Sequence, residues 1–114
     1  MSTTSQVLHQ SQGGEKLVLA QFQVASAFPY NAANYYTITL RRILSGATYG
    51  GTIGSAYSLA TRSLSANSPV TLYSNAAGLM LNEGDTLVSY LVSSGSPAVL
   101  SNPSWILDIQ TIAR

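Results

Sequence analysis

The stretch YYTITLRRIL, residues 35–44, reads as a β-strand and sets the fold. Tyr36, Ile38 and Leu40 fall on one face and Thr37, Thr39 and Arg41 on the other, the period of two of a half-buried pleated strand. β-Branched and aromatic residues dominate it, as such a surface prefers. The same alternation recurs on both sides. In KLVLAQFQV, residues 16–24, Val18, Ala20, Phe22 and Val24 share a face opposite Gln21 and Gln23. In TLVSYLVSS, residues 86–94, Leu87 and Leu91 take one face while Val88, Tyr90 and Val92 take the other, which predicts cover on both. In WILDIQTI, residues 105–112, Trp105, Leu107 and Ile109 oppose Ile106, Asp108 and Gln110. Further strands are expected at residues 56–64 and 70–73, and Leu79 to Leu81 lead into a turn.

Turn residues separate these segments: Pro29 and Asn31 in SAFPYNAAN, Ser45-Gly46, Gly50-Gly51, Asn67-Ser68-Pro69, Asn82-Glu83-Gly84-Asp85, Gly95-Ser96-Pro97 and Asn102-Pro103. No apolar stripe at i, i+3, i+4, i+7 persists over about ten residues, so a long helix is not expected. Short strands at turn spacings of about 8–12 residues predict an all-β protein, an antiparallel β-sandwich of jelly-roll-like kind with at least six strands. No internal repeat is visible. Residues 16–114 form the single predicted domain. Residues 1–15, polar and closed by Gly13-Gly14, read as an extended, flexible N-terminal arm that orders on a partner.

Only 8% of the 114 residues are charged and the net charge is +1, against about 25% charged in an ordinary globular domain. Ser, Thr, Asn, Gln, Ala, Gly and Tyr must then make the surface, and charge does little to keep copies apart. The five basic residues Lys16, Arg41, Arg42, Arg62 and Arg114 are scattered. Arg41 and Arg42 would point to opposite faces of a strand, so they form no patch of the kind that neutralises phosphates. Neither a nucleic acid nor a membrane is expected as a partner. The absence of cysteine excludes disulfides and thiolate metal sites. No apolar run approaches the ~18 residues of a membrane span. The start, MSTTSQVLHQSQGGEK, lacks a basic segment followed by an apolar one, which predicts synthesis and folding in the cytoplasm.

Chemistry-bearing residues are few. His9 is the single histidine, in the arm and without a nucleophile elbow elsewhere. Glu83 and Asp85 flank Gly84, but the oxygen-ligand string of a calcium loop is missing, so a β-turn is expected. Nothing in the pattern pairs Asp85 with Asp108. Gly50, Gly51 and Gly54 precede no Lys-Ser/Thr and open no helix, so they make no phosphate loop. No catalytic residue, cofactor or metal is predicted, and the protein reads as non-enzymatic. Seven tyrosines with Ser, Gly and Asn form the palette of adaptable recognition surfaces, although filling sheet faces accounts for them as well. Trp105 reads as a core anchor rather than a stacking platform for sugars. In the arm, Gln6, Val7, Leu8 and Gln10 are the candidate partner contacts, two apolar anchors between two hydrogen-bonding amides.

Residues 78–99, GLMLNEGDTLVSYLVSSGSPAV, with a Gly-Asp turn, an alternating strand and a Gly-Ser turn, resemble the sandwich domains of viral particles. The whole chain looks like the small structural proteins of tailed bacteriophages, capsid decoration (cement) proteins in particular. The likeness lies in a polar arm, one cysteine-free β-domain and a charge-poor surface. It implies a virion protein on the capsid surface, made in the host cytoplasm. Such a protein is a homo-oligomer, by preference a trimer, that binds the major capsid protein and stabilises the shell through sheet edges and arm. Two alternatives share the composition: a receptor- or carbohydrate-binding module of a tail fibre or spike, and a head-tail or tail structural protein.

Overall fold

The computed structural model describes residues 2–44, 46 and 51–112. Ser45, Tyr49, Gly50 and Arg114, singled out above, lie outside them. Seven described strands follow in order: β1 (Ser2–Gln10), β2 (Glu15–Gln23), β3 (Tyr35–Ile43), β4 (Gly51–Ser58), β5 (Val70–Leu81), β6 (Thr86–Ser94) and β7 (Ser104–Thr111). They form two antiparallel sheets, ordered β1-β6-β3-β4 and β5-β2-β7. Among the described strands only β3 and β4 follow each other within one sheet; the other connections cross between sheets, as in jelly rolls. The architecture is the predicted all-β sandwich, with four strands facing three.

The apolar faces meet in two layers. Phe22, Val24, Phe28, Ile38, Tyr57, Leu59, Leu64, Leu72 and Leu100 fill the upper half. Leu17, Ala20, Leu40, Ile53, Leu81 and Leu87 fill the lower half. Trp105 packs against both layers and meets Phe22 edge-on at 5.3 Å, so it is the core anchor its place in the pattern implies. Along one side β4 presses on β5: a Cβ at Gly54 would collide with the Leu72 carbonyl. The opposite side, between β1 and β7, stays open.

Strands β3, β6 and β7 match the period-two reading to within a residue at each end. Four features differ. The stretch read as a free arm is β1, annealed to β6 from Ser2↔Ser93 to Gln10↔Thr86. A main-chain ladder needs no apolar side chains, so this strand left little trace in the hydrophobic pattern. In β2 the register slips between Leu17 and Leu19 against both neighbours, and the bulge puts Leu17 rather than Val18 in the core. The strand expected at 56–64 lies earlier, at Gly51–Ser58. Leu59 and Leu64 are buried through loop main chain instead, with Leu59 N–H donating to the Tyr36 carbonyl and Leu64 and Phe28 exchanging two bonds. Finally, residues 70–73 and 79–81 belong to one strand, β5, interrupted by an excursion at Asn75–Gly78 where Asn75 Oδ1 accepts the Ala77 N–H. Thr39 keeps its outward register yet is only 8% exposed. Gly54, Ser55 and Ala56 stand opposite it in a bulge of β4, and Tyr90 is its neighbour on β6.

The β2 bulge yields a direct test. Leu17→Ala should cost about 2–5 kcal/mol of unfolding free energy, as large-to-small changes in a full core do, and Val18→Ala clearly less. Urea unfolding of the two variants measures the order. An unbroken alternation would reverse it.

Candidate functional site

β1 reaches the surface as one lip of the open side. Its backbone pairs with β6 on one edge only, and β7 likewise pairs with β2 on one edge only. Among the described residues these two strands each have a second edge without a ladder, and they flank a cleft of about 380 Å³ lined by Gln6, Leu8, Pro103, Ser104, Trp105 and Leu107. Its floor is the flank of the core and its rim is amide and hydroxyl.

The four sequence-predicted contact residues divide here. Leu8 sits where the β1 register slips, between Val7 and His9, and packs against the lower core, so it serves the protein's own interior. Gln6 lines the cleft opposite Trp105. Val7, paired with Val88, is 64% exposed on the outer face of the sheet, and Gln10 is exposed at the lower end of the strand. Val7 belongs to a wider outer surface. Thr3, Ser5 and Val7 on β1 adjoin Val92, Tyr90 and Val88 on β6, which adjoin Thr37, Thr39 and Arg41 on β3. The one ionised group of these nine, the Arg41 guanidinium, lies over the Tyr90 ring at 4.4 Å. Val88 and Thr39 are buried within this face, at 4% and 8% exposure, so the accessible part is made by the other residues, with methyls, hydroxyls and the Tyr90 ring among them.

The lower end of the cleft side is locked by polar groups the sequence left without a role. Ser11, 1% exposed, donates its N–H to the Asp85 carbonyl at 2.8 Å and accepts the Gly84 N–H at 2.9 Å. This fastens the β1–β2 turn to the β5–β6 turn. Asp85 Oδ2 in turn accepts the Asn82 N–H, which makes Asn82–Asp85 the expected β-turn. His9 Nε2 reaches Glu15 Oε1 at 3.1 Å and ties β1 to β2 across the sheets. The hydrogen bond from His9, with a second from Ser11, holds the Glu15 carboxyl below its ordinary value of 4.5 against the opposing pull of desolvation. Asp108 lies on the outward face of β7, opposite Leu19, and Asp85 in the β5–β6 turn, so the two acids belong to separate parts of the fold. Among the described residues no three His, Asp or Glu side chains gather as a metal would require.

A second concavity was not read from the sequence at all. The β2–β3 and β6–β7 loops at the upper end enclose a cleft of about 360 Å³, whose rim carries Tyr30, 63% exposed, and Val99, 89% exposed. Its residues lie in segments that read only as turns. The available signal was the pair Asn31 and Asn34, whose spacing suits side-chain caps on a loop's own backbone.

Glu15 gives a pH prediction. A carboxyl lowered in the folded state stabilises it at every pH above its unfolded value, and loses that contribution as pH falls through the lowered value. Glu15→Gln should accordingly be less stable than the parent near neutral pH, with the gap narrowing below about pH 4. Thermal unfolding of both proteins across that range measures it.

Comparison with protein-family models, with curated proteins and with solved structures yields no match for this chain.

Proposed function

We propose that the protein is a non-enzymatic virion structural protein, a capsid decoration protein that attaches to the major capsid shell through the open β1–β7 side and the outer face beside it. The observation that carries this reading is β1 itself. It is a nine-residue edge strand without a Lys, Arg, Asp or Glu, beside an open cleft and a face of Val, Thr, Ser and Tyr. Edge strands of free-standing proteins are blunted by charge, proline, bulges or cover; β1 has one irregular step, between Val7 and His9, and its uncharged Ser2–Val7 stretch is left able to pair. An extended segment of a shell subunit laid along β1 would gain main-chain hydrogen bonds, while Gln6 and the Trp105 flank receive its side chains. Several such weak attachments per oligomer, a trimer by preference, add through effective concentration.

The titratable side chains support the same reading by what they already do. His9 and Glu15 hold β1 to β2, Asp85 closes a turn, and Arg41 and Arg62 lie over Tyr90 and Tyr57. The loop-end cleft favours the second reading, a receptor-binding module of a tail fibre or spike. Copy number separates the two.

Quantitative mass spectrometry of purified particles tests the proposal. A copy number comparable with that of the shell protein is expected; a few copies per particle would move the protein to the tail, and absence would end the reading. Val7→Asp should fold like the parent, because Val7 is exposed, yet bind stripped particles at least about tenfold more weakly, a change of roughly 1.4 kcal/mol. Removing Ser2–Gln10 should instead lower stability, since it strips the β6 edge and takes Leu8 from the core. Co-sedimentation and thermal unfolding distinguish the two effects.

A further inference from the structure

We infer that the upper loop-end cleft is a binding site for a neutral saccharide, separate from the β1–β7 side and independent of how the protein is anchored. The first ground is that its walls are fixed. Asn31 Oδ1 accepts the N–H groups of Ala33 and Asn34 at 2.9 and 3.0 Å, which shapes one wall. Asn34 Oδ1 accepts the Ser96 N–H at 2.8 Å, which joins that wall to the other loop. Gly95, at φ +72, lies so close to the Ala33 carbonyl and Asn34 Oδ1 that no side chain would fit. Further main-chain bonds, Ala25 N–H to the Ser101 carbonyl and Asn31 N–H to the Leu59 carbonyl, tie both loops to the body. A site held this way costs little ordering when a ligand enters.

The second ground is what these walls display. Tyr30 and Val99 stand exposed on anchored loops, where no packing demand places them. None of the lining residues is Asp, Glu, Lys, Arg or His. A phosphate, a carboxylate or an ammonium would find no opposite charge there. With both asparagine oxygens engaged inside the loops, the polar groups left among the lining residues are the Asn31 and Asn34 amide N–H groups and the hydroxyls of Ser26, Tyr30, Ser96 and Ser101. An apolar ring face beside neutral donors and hydroxyls complements a pyranose, which offers a C–H face and hydroxyls that donate and accept. The volume of about 360 Å³ falls in the lower part of the ~300–1,000 Å³ range of small-ligand sites, room for one or two sugar rings. A proline-rich peptide would ask for an aromatic-lined groove, and Tyr30 is the single aromatic ring exposed here.

The test is an NMR titration of the intact protein with four neutral disaccharides, maltose, cellobiose, lactose and N,N′-diacetylchitobiose, at millimolar concentration. At least one should shift amide signals in residues 26–34 and 95–101 and saturate. Tyr30→Ala should weaken that binding at least about tenfold (1.4 kcal/mol,). Ile106→Ala, an exposed apolar change on the outer face of β7, should leave it unaltered. Sialyllactose should bind no more tightly than lactose. Absence of shifts with all four sugars, shifts located elsewhere, tighter binding of the anionic sugar, or full binding by Tyr30→Ala would each overturn the inference. Shell attachment is read in a separate assay, so either result stands without the other.

Discussion

Burial of Leu17, Phe22, Ile38 and Leu40 between two facing sheets is the contact on which the rest of the molecule depends. With no cysteine to cross-link and few charges to pair, apolar burial is the main cohesive term left. It also fixes registers. A slip of one residue in β3 would turn Ile38 and Leu40 out and Thr39 in, so the four-stranded sheet has one permitted alignment. In β2 the same demand is met by a bulge: Leu17 and Ala20 join the lower layer and Phe22 and Val24 the upper, at the cost of one irregular step. Where the sheets approach at β4 and β5, only a glycine at position 54 lets the backbones come this close. The open side and the loop ends are what this packing leaves over, and the two clefts described above lie there.

How much of this could be read in advance follows from which force shapes each element. Strands β3, β6 and β7 are shaped by burial of one face, and burial writes itself into the alternation of apolar and polar residues. Trp105 was legible for the same reason. β1 is shaped by main-chain pairing with β6, and Ser, Thr and Gln serve a ladder as well as any residue, so its sequence looks like that of a flexible arm. The excursion at Asn75–Gly78 divided β5 into two apparent fragments. Leu59 and Leu64 misled in the opposite direction: they are apolar because they are buried, but irregular loop backbone buries them.

The candidate sites were legible in the same uneven way. Gln6, Val7, Leu8 and Gln10 were singled out as two apolar anchors between two amides. The structure gives Leu8 to the core, because the register slip beside it turns that side chain inward, and leaves Val7 outside. The loop-end cleft was illegible because its making is wholly local and polar. Asn31 folds one loop upon itself and Asn34 reaches across to Ser96, and neither bond produces a period. A composition rich in Ser, Asn and Tyr suggests recognition only in general terms; the anchored exposure of Tyr30 is what the proposed site adds to it.

Low charge links the two surfaces. On most proteins scattered Lys and Glu keep sheet edges from meeting and hydrophobic faces from spreading. Here β1 carries His9 as its one titratable side chain, and that histidine is turned to Glu15. Such an edge is a liability in a free monomer, which is why the proposed function gives it a partner. The same neutrality has a different consequence at the loop end. A cleft without charge exerts no long-range pull on ions, so its selectivity rests on shape and on hydrogen-bond geometry. The proposed attachment would draw on main-chain bonds along the edge, and the proposed saccharide site on shape and neutral groups at the loop end. Strand direction keeps them apart: β1 and β7 run along the side of the sandwich, whereas the loops after β2 and β6 cap its end. The two clefts meet only in the β6–β7 loop, where Ser101 lines the loop-end cleft and Pro103 the β1–β7 cleft.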